Sequence, residues 1–281
     1  MSMRVEPSGA ACGARVVGVD LSAPLADTDI SEIRSAWLEH AVLAFPDQQI
    51  SDDDLERFTL AFGPFGDDPF IAPVPGRANV IAVRRDADEK TPIFAESWHT
   101  DWSFQAIPPA GTCLRSIIVP PVGVDTLFAD QRAALDAMPQ AMRSRLDGVI
   151  ALHSAKRAYA PDGAYGEGDK GRSMSIMPSS EANIIQRHPL IRRHPETGRA
   201  AIYGAIGYIV GLEGVDDPES TLAELYAWQT QERFVCAQTW ELDMVLMWDN
   251  RSVLHRATGG YEGHARLLHR TTIGEATGRF E

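Results

Sequence analysis

Two short patterns pair a histidine with an acid at a spacing that could hold a metal ion. His99 and Asp101 lie two residues apart in WHTDWSF, and His194 and Glu196 do so in RHPETG. Residues i and i+2 of a β-strand face the same way, with Cα atoms roughly 7 Å apart, so each pair could converge on one ion. The proline and glycine of RHPETG indicate a turn, whereas WHTDWSF has the pattern of an aromatic-rich strand. His99 and Asp101 are therefore the better candidates.

A third ligand is available at the end of another predicted strand. His255 closes WDNRSVLH and precedes a glycine-rich turn. Two histidines and one carboxylate on one side of a divalent ion leave the other positions open, which is the arrangement used in Fe(II) oxygen chemistry. From these residues alone, each histidine could equally be a hydrogen-bonded structural side chain.

Two arginines suggest binding sites for anions. In HARLLHRTTIG, strand alternation places Arg266 and Arg270 on one face, roughly 13 Å apart. A guanidinium forms strong, directional, bidentate bonds with a carboxylate. Two arginines so far apart would hold two different anions or the two ends of one site. The alternative is a solvent-exposed strand face.

The scaffold that must position these residues is predicted to consist mostly of strands. Strand patterns occur at 14–19, 41–45, 98–104, 111–120, 148–153 and in a group from 239 to 273; helices are predicted at 29–40, after Ser51, at 131–147 and at 218–232. No β-α-β alternation, repeat or linker divides the chain. We expect a single domain over residues 1–281, mostly β with peripheral helices (α+β), built on a double-stranded β-helix or jelly-roll core.

Two long segments have little regular periodicity. Residues 66–97 and 157–183 are rich in glycine, proline and polar residues. Long loops of this kind in a compact domain usually cover or form binding sites. We expect both segments to act as lids.

Composition excludes several classes of function. The 281 residues carry a formal net charge of −13, which disfavours binding to nucleic acid or anionic membranes. The sequence has no apolar run long enough to span a bilayer and no secretory signal, so a cytoplasmic protein is expected. Cys12, Cys113 and Cys236 are distant in sequence and predict neither a disulfide framework nor a thiolate metal site.

In combination, these segments resemble a known family. WHTDWSF, DTLF at 125–128, WDNRSVLH and HARLLHRTTIG are similar to segments of the taurine dioxygenase and aryloxyalkanoate dioxygenase family of Fe(II)- and 2-oxoglutarate-dependent enzymes. GARVVGVDLSAPL near the N-terminus and AFPDQ at 44–48 extend the resemblance over nearly the whole chain. Each motif is weak alone, but H-x-D, then Thr, then WDN-x(4)-H, then R-x(3)-R is a specific order.

The resemblance implies roles for individual residues. His99, Asp101 and His255 match the iron ligands, while Thr126 and Arg266 match the residues that hold the distal carboxylate of 2-oxoglutarate. The implied activity consumes 2-oxoglutarate and O2, releases succinate and CO2, and hydroxylates a small anionic substrate such as a sulfonate, sulfate ester or carboxylate. The resemblance also implies a homodimer or homotetramer.

The substrate end departs from the taurine enzymes. Arg270 matches the arginine that holds the sulfonate of taurine, but Asp68, Ile71 and Ala95 stand where those enzymes carry His, Tyr and Asn. We therefore expect a substrate other than taurine. The expected pocket wall comprises Trp102, Phe104, Phe70 and Ile71, and Asp68 either pairs with a substrate ammonium or lies in a solvated turn.

Two alternatives belong to other classes. The first is a catalytically silent member of the fold that binds a metal and an organic acid. The second is a Zn(II) hydrolase, which needs a general base beside the metal-bound water. The intact ligand set with Thr126 and Arg266 favours the dioxygenase over the first, and the lack of an HExxH-like helix disfavours the second.

Overall fold

β-Strands dominate the computed structural model, which describes residues 3–123 and 125–275. The strands are β1 Arg4–Pro7, β2 Ala14–Val17, β3 Val42–Phe45, β4 Ile81–Arg85, β5 Gly111–Ile118, β6 Asp125–Asp130, β7 Ile150–His153, β8 Gln186–Pro189, β9 Ile191–Arg193, β10 Ala200–Ile202, β11 Ile209–Glu213, β12 Val235–Thr239, β13 Val245–Asp249, β14 Val253–Ala257 and β15 Arg266–Ile273. The α-helices are α1 Asp27–His40, α2 Asp52–Leu60, α3 Gln131–Asp136, α4 Gln140–Leu146, α5 Lys156–Tyr159 and α6 Pro218–Gln229, and short 3-10 helices span Ser180–Asn183 and Glu232–Phe234.

Two sheets enclose a buried interior. The larger has the strand order β1-β2-β3-β13-β5-β15-β4, and the smaller has the order β12-β6-β14. Phe128 and Val253 of the smaller sheet pack in one buried cluster with Leu114, Trp248 and Leu268 of the larger. The opposite face of the larger sheet is covered by α1 and α2. This arrangement confirms the predicted mostly-β, jelly-roll class with helices outside the sheets.

A separate group of elements packs beside these sheets. It comprises the sheet β11-β7-β8, the hairpin β9-β10 and helices α3, α4 and α6, which share one apolar cluster. Pro139 separates α3 from α4, as expected for a residue that lacks the backbone N–H required inside a helix. RHPETG joins the antiparallel strands β9 and β10, which confirms the predicted turn.

His194 in that turn has a structural role. Its Nε2–H donates to Asp249 Oδ2 at 2.8 Å, and its Nδ1 accepts the backbone N–H groups of Glu196 and Thr197. The imidazole is buried and both its nitrogens are occupied. This H-x-E pair therefore supplies no free ligand for a metal.

The segment WHTDWSF is not the strand that its alternation predicts. Only His99 forms a β-bridge, and residues 101–104 form a turn. Trp102 adopts a left-handed φ of 48° and is almost completely buried. Its indole packs against Phe104 and Tyr159, and its Nε1–H donates to Asp68 at 2.7 Å. These tertiary contacts outweigh the local preference for an extended backbone.

The cysteines are all buried and free. The fold nevertheless brings Cys12 and Cys236 together, with their Sγ atoms 2.6 Å apart, although 224 residues separate them in sequence. Within the described residues, no helix is both long and apolar enough to cross a membrane.

Candidate metal centre and its cavity

Three predicted ligands converge at one point between the two sheets. The Nε2 atoms of His99 and His255 each lie 3.6 Å from Oδ1 of Asp101, and the two imidazole centroids are 4.2 Å apart. Within residues 3–123 and 125–275, this is the only group of three or more His, Cys, Asp or Glu side chains close enough to hold a metal ion. Two imidazole nitrogens and one carboxylate oxygen on one side suit a divalent transition metal with open positions.

Backbone pairing brings the histidines side by side. The N–H of His99 donates to the carbonyl of His255 at 3.0 Å, and the N–H of His255 donates to that of His99 at 2.8 Å. His255 lies in β14, which is held by β6 of the smaller sheet. The turn that follows His99 then brings Asp101 towards both rings. A bridge and a turn thus achieve the convergence that strand alternation was expected to produce.

The protonation states suit ligation. The Nδ1–H of His99 donates to the carbonyl of Ser97 at 2.8 Å, which leaves Nε2 with its lone pair facing the other ligands. Burial, together with the neighbouring His99, lowers the pKa of His255 to about 3. Burial opposes ionisation of Asp101, but His255, His99 and Arg270 outweigh it and hold the pKa of Asp101 below its usual value. The carboxylate is therefore ionised and the imidazole of His255 neutral, as a metal requires.

A hydrogen-bonded chain fixes the carboxylate. Thr112 Oγ1 donates to Asp101 Oδ2 at 2.7 Å and accepts from Asn250 Nδ2 at 3.0 Å. Trp248 Nε1–H in turn donates to Asn250 Oδ1 at 2.9 Å. Residues that hydrogen-bond to a metal ligand orient that ligand and tune its basicity. The WDN motif therefore orients Asp101 through Thr112, a role that the sequence did not reveal because Thr112 lies in no motif.

The triad opens into a cavity of about 280 Å³. His99, Asp101 and His255 contribute to its wall together with Thr126, Arg266, Arg270 and Trp102, all predicted site residues. Aromatic residues make up much of the remaining wall: Phe94, Tyr159, Tyr165, Tyr208 and Trp248. The tyrosines were missed by sequence reasoning because they belong to no motif. Tyr159 and Tyr165 do, however, lie in segment 157–183, which was predicted to cover the site.

At one end, Arg266 is buried without an acid. Its guanidinium faces the rings of Trp240 and Tyr261, at 6.0 and 5.6 Å from their centroids. In the part of the chain that the structure describes, no carboxylate lies within ion-pair distance of it. Burial lowers the pKa of Arg266, which reflects the cost of keeping this charge away from water. Thr126 lines the same cavity, and its Oγ1 accepts from Trp240 Nε1 at 3.0 Å. Its own O–H has no acceptor among the described residues and can donate to a ligand.

At the other end, Arg270 is already neutralised. It forms a buried ion pair with Asp68, whose carboxylate also accepts from Trp102 Nε1 and Thr272 Oγ1. Arg270 lies over the ring of Trp102, 4.7 Å from its centroid, and 3.8 Å from Oδ1 of Asp101. Asp68 is thus neither in a solvated turn nor free for a substrate ammonium: it is bound to an arginine of the protein itself.

The remaining predicted substrate residues lie at different depths. Ala95 contributes to the cavity wall. Phe70 and Phe104 pack against Tyr159 and each other, one layer behind the residues that line the cavity. Ile71 is buried and bridges to Ile176. Phe70, Phe104 and Ile71 therefore support the wall from behind.

Comparisons with known proteins agree with this geometry. The model of the taurine catabolism dioxygenase TauD, TfdA family matches residues 4–272. The chain is 34% identical over 298 residues to the alpha-ketoglutarate-dependent 2,4-dichlorophenoxyacetate dioxygenase of Cupriavidus pinatubonensis, covering 98% of this chain and 99% of that protein. It is 33% identical over 267 residues to the (S)-phenoxypropionate/alpha-ketoglutarate-dioxygenase of Delftia acidovorans, covering 91% and 89%.

A solved structure shows the same fold. The crystal structure of a taurine dioxygenase from Burkholderia xenovorans superposes with a TM-score of 0.81 at 27% identity, covering 100% of this chain and 95% of that one. Alpha-ketoglutarate is another name for 2-oxoglutarate, so the relatives share the cosubstrate that the sequence predicted. Sequence, fold and the triad agree, and the chain belongs to the TauD/TfdA family of 2-oxoglutarate-dependent dioxygenases.

Proposed function

We propose that this protein uses Fe(II), 2-oxoglutarate and O2 to hydroxylate a small organic acid with an aryl or alkyl body. The observation that carries the proposal is the placement of three convergent ligands and an acid-free buried arginine in one cavity. In the reaction, one oxygen atom of O2 enters the substrate as a hydroxyl group and the other enters succinate, while the C1 carboxyl of 2-oxoglutarate leaves as CO2.

His99, Asp101 and His255 would hold the iron. Their donor set matches the two-histidine, one-carboxylate arrangement of Fe(II) oxygenases. Iron bound there would supply the activation of O2 that organic side chains cannot provide. Ser97 and Thr112 hold His99 and Asp101 in the orientation for ligation. These contacts place the lone pairs before any metal arrives, which reduces the cost of ordering them.

Arg266 and Thr126 would hold the distal carboxylate of 2-oxoglutarate. The guanidinium is a buried cation without an acid, so a carboxylate would offset its desolvation cost. The free O–H of Thr126 can donate to a second carboxylate oxygen. Charge-assisted hydrogen bonds of this kind are stronger than neutral ones and fix orientation.

The aromatic wall would exclude water and receive the substrate body. Phe94, Tyr159, Tyr165 and Tyr208 line the cavity beside the triad. Excluding water strengthens the electrostatic contacts inside the site and prevents side reactions. The two relatives act on phenoxyalkanoic acids by their names, and an aryl acid fits such a wall. The polar set of the taurine enzymes is replaced here by Asp68, Ile71 and Ala95, so taurine is not proposed as the main substrate.

Anaerobic titration tests the iron and cosubstrate assignments directly. Fe(II) and then 2-oxoglutarate are added to the protein, and a visible metal-to-ligand band is expected when both bind. Oxygen uptake and succinate formation are then followed with a panel of aryloxy acids, sulfonates and sulfate esters. A band without 2-oxoglutarate-dependent oxygen uptake would support the alternative in which the protein binds a metal and an organic acid but does not catalyse a reaction. Zn(II)-dependent hydrolysis without a band would support the Zn(II) hydrolase.

Ligand variants complete this test. Asp101→Ala removes the only anionic ligand, so the band and succinate formation should both be lost while the far-UV circular dichroism stays unchanged. His255→Ala should behave in the same way. His264→Ala is the matched control, because this histidine is exposed and outside the cavity wall. Full activity in either ligand variant would overturn the assignment.

A further inference from the structure

Among the residues that the structure describes, three cationic side chains other than histidine line the main cavity: Arg157, Arg266 and Arg270. A charge-assisted contact to an anionic substrate would come from one of them. Arg266 has no acid and is assigned to 2-oxoglutarate above. Arg270 is buried and paired with Asp68, and it also lies 3.8 Å from a carboxylate oxygen of Asp101. Because the carboxylate of Asp68 already offsets its charge, Arg270 presents little net positive charge to a further anion.

Asp68 is held firmly in this position. Trp102 Nε1–H and Thr272 Oγ1 both donate to it, at 2.7 and 3.1 Å. Its side chain and that of Arg270 are only 8% and 5% exposed. A substrate anion would have to displace an acid that has several hydrogen bonds and is already desolvated, so competition at Arg270 is unfavourable.

Arg157 differs in each of these respects. It is exposed at the cavity wall, and no acid in the described ranges 3–123 and 125–275 forms an ion pair with it. Its Nη1 donates to the carbonyls of Ile206 and Ile209 at 3.0 and 3.2 Å, which holds the guanidinium beside the cavity. The two other guanidinium nitrogens, Nε and Nη2, form no hydrogen bond with the described residues and can donate to an anion. Cavity-lining aromatic residues Tyr159 and Tyr165 belong to the same segment of chain.

We infer that Arg157 holds the anionic group of the substrate, and that Asp68 determines this specificity by neutralising Arg270. The inference rests on the proposed function and names the charge contact of the same site. The substrate is then an acid whose apolar body lies among the aromatic residues while its charge lies at Arg157. This assignment replaces the expectation, based on resemblance alone, that Arg270 holds the anion.

The test compares acids with their uncharged amides. The probes are phenoxyalkanoic and phenylalkanoic acids and the corresponding primary amides, which share a body but differ in charge. For each protein, the ratio of KM values for amide and acid is measured by succinate formation, and the ratio of Kd values by calorimetry. Using ratios removes changes that affect both compounds equally, such as altered metal occupancy.

Arg157→Gln removes the charge but keeps a polar side chain that can still donate a hydrogen bond. The wild type should prefer acids at least tenfold, and this variant should reduce the preference to threefold or less. Arg193→Gln is the matched control, because Arg193 is an exposed arginine that donates to a backbone carbonyl and lies outside this cavity. An acid preference that is unchanged in Arg157→Gln would overturn the assignment to Arg157.

Two further variants test Asp68. Asp68→Asn keeps an acceptor for Trp102 but leaves the charge of Arg270 without its counter-charge. Short acids and sulfonates, including taurine, should therefore bind to this variant at least tenfold more tightly than to wild type. Asp68→Asn/Arg270→Met removes both charges and avoids a lone buried ion, and it should keep the acid preference of the wild type within threefold. Loss of that preference in the double variant would show that Arg270 holds the anion.

The outcomes separate this inference from the proposed function. Wild-type protein that forms no succinate from 2-oxoglutarate with any probe contradicts the proposed function. Wild-type protein that forms succinate but shows the same acid preference in Arg157→Gln contradicts only the inference. Calorimetry reports acid binding without turnover, so the assignment of Arg157 is tested in either case.

Discussion

Arg266 and Arg270 lie on the same face of the same strand, four residues apart, yet the structure gives them opposite surroundings. Both are buried and both line the cavity. Arg266 faces aromatic rings and has no acid within ion-pair distance in the described chain, whereas Arg270 is paired with Asp68 and adjoins Asp101. Residue type and strand position therefore do not decide whether the charge of an arginine stays available to a ligand. The charges supplied by distant parts of the chain decide it.

The largest expected effect concerns stability at the Arg270 end. Arg270→Met leaves the carboxylate of Asp68 buried without its partner, and breaking a buried pair in this way costs about 3–5 kcal/mol. Urea denaturation should therefore show a much lower midpoint. Asp68→Asn/Arg270→Met should recover most of the loss, since no charge is left unpaired. Equal destabilisation in the single and double variants would mean that the ion pair is not what stabilises this end.

A comparable effect on binding is expected at the Arg266 end. Arg266→Gln removes the charge partner of a carboxylate in a desolvated site, at a cost of about 2–5 kcal/mol. The KM for 2-oxoglutarate should rise tenfold or more, while the free energy of unfolding of the unliganded protein stays the same or increases, because an unpaired buried charge is lost. Arg145→Gln, at an exposed arginine on α4, serves as control. An unchanged KM would place the cosubstrate elsewhere.

A smaller effect is expected beside Arg270, at the hydrogen bond that supports Asp101. Thr112→Val keeps the shape of the side chain but removes the hydroxyl that donates to Asp101 Oδ2 and accepts from Asn250. Loss of such an outer partner typically weakens metal binding 10- to 100-fold. Competition with a chelator would measure the change. Thr112→Ser, which retains the hydroxyl, should restore binding; failure to do so would assign the effect to packing.

The smallest effect is expected in the covering segments. Phe94, Ala95 and Ser97 from segment 66–97 and Arg157, Ala158, Tyr159, Ala164 and Tyr165 from segment 157–183 line the cavity. The two segments are also joined, because the Ala95 N–H donates to the hydroxyl of Tyr165 at 3.2 Å. If they act as lids, amide hydrogen exchange in both should slow when Fe(II), 2-oxoglutarate and an acid bind. Exchange that is insensitive to ligands would argue for a fixed wall.

Several features of the centre followed from local patterns in the sequence. The strand alternation of HARLLHRTTIG predicted that Arg266 and Arg270 share a face, and β15 confirms it. The turn at RHPETG was also predicted correctly, because proline and glycine restrict the backbone locally. WHTDWSF was predicted as a strand and is a bridge followed by a turn, since burial of Trp102 outweighs the local preference.

The sequence by itself determined the ligand types, their order along the chain and the fold class, because these depend on residue identity and short-range periodicity. Only the tertiary structure decided which charges remain free. It brought Asp68 to Arg270, 202 positions apart in sequence, and placed the hydroxyl of Thr112 within hydrogen-bond distance of Asp101. It also left Arg266 among aromatic rings. The physical reason is that the attraction of a buried charge for a ligand depends on the neighbouring charges and on the desolvation of the group. Neighbours from distant segments leave no local pattern in the sequence.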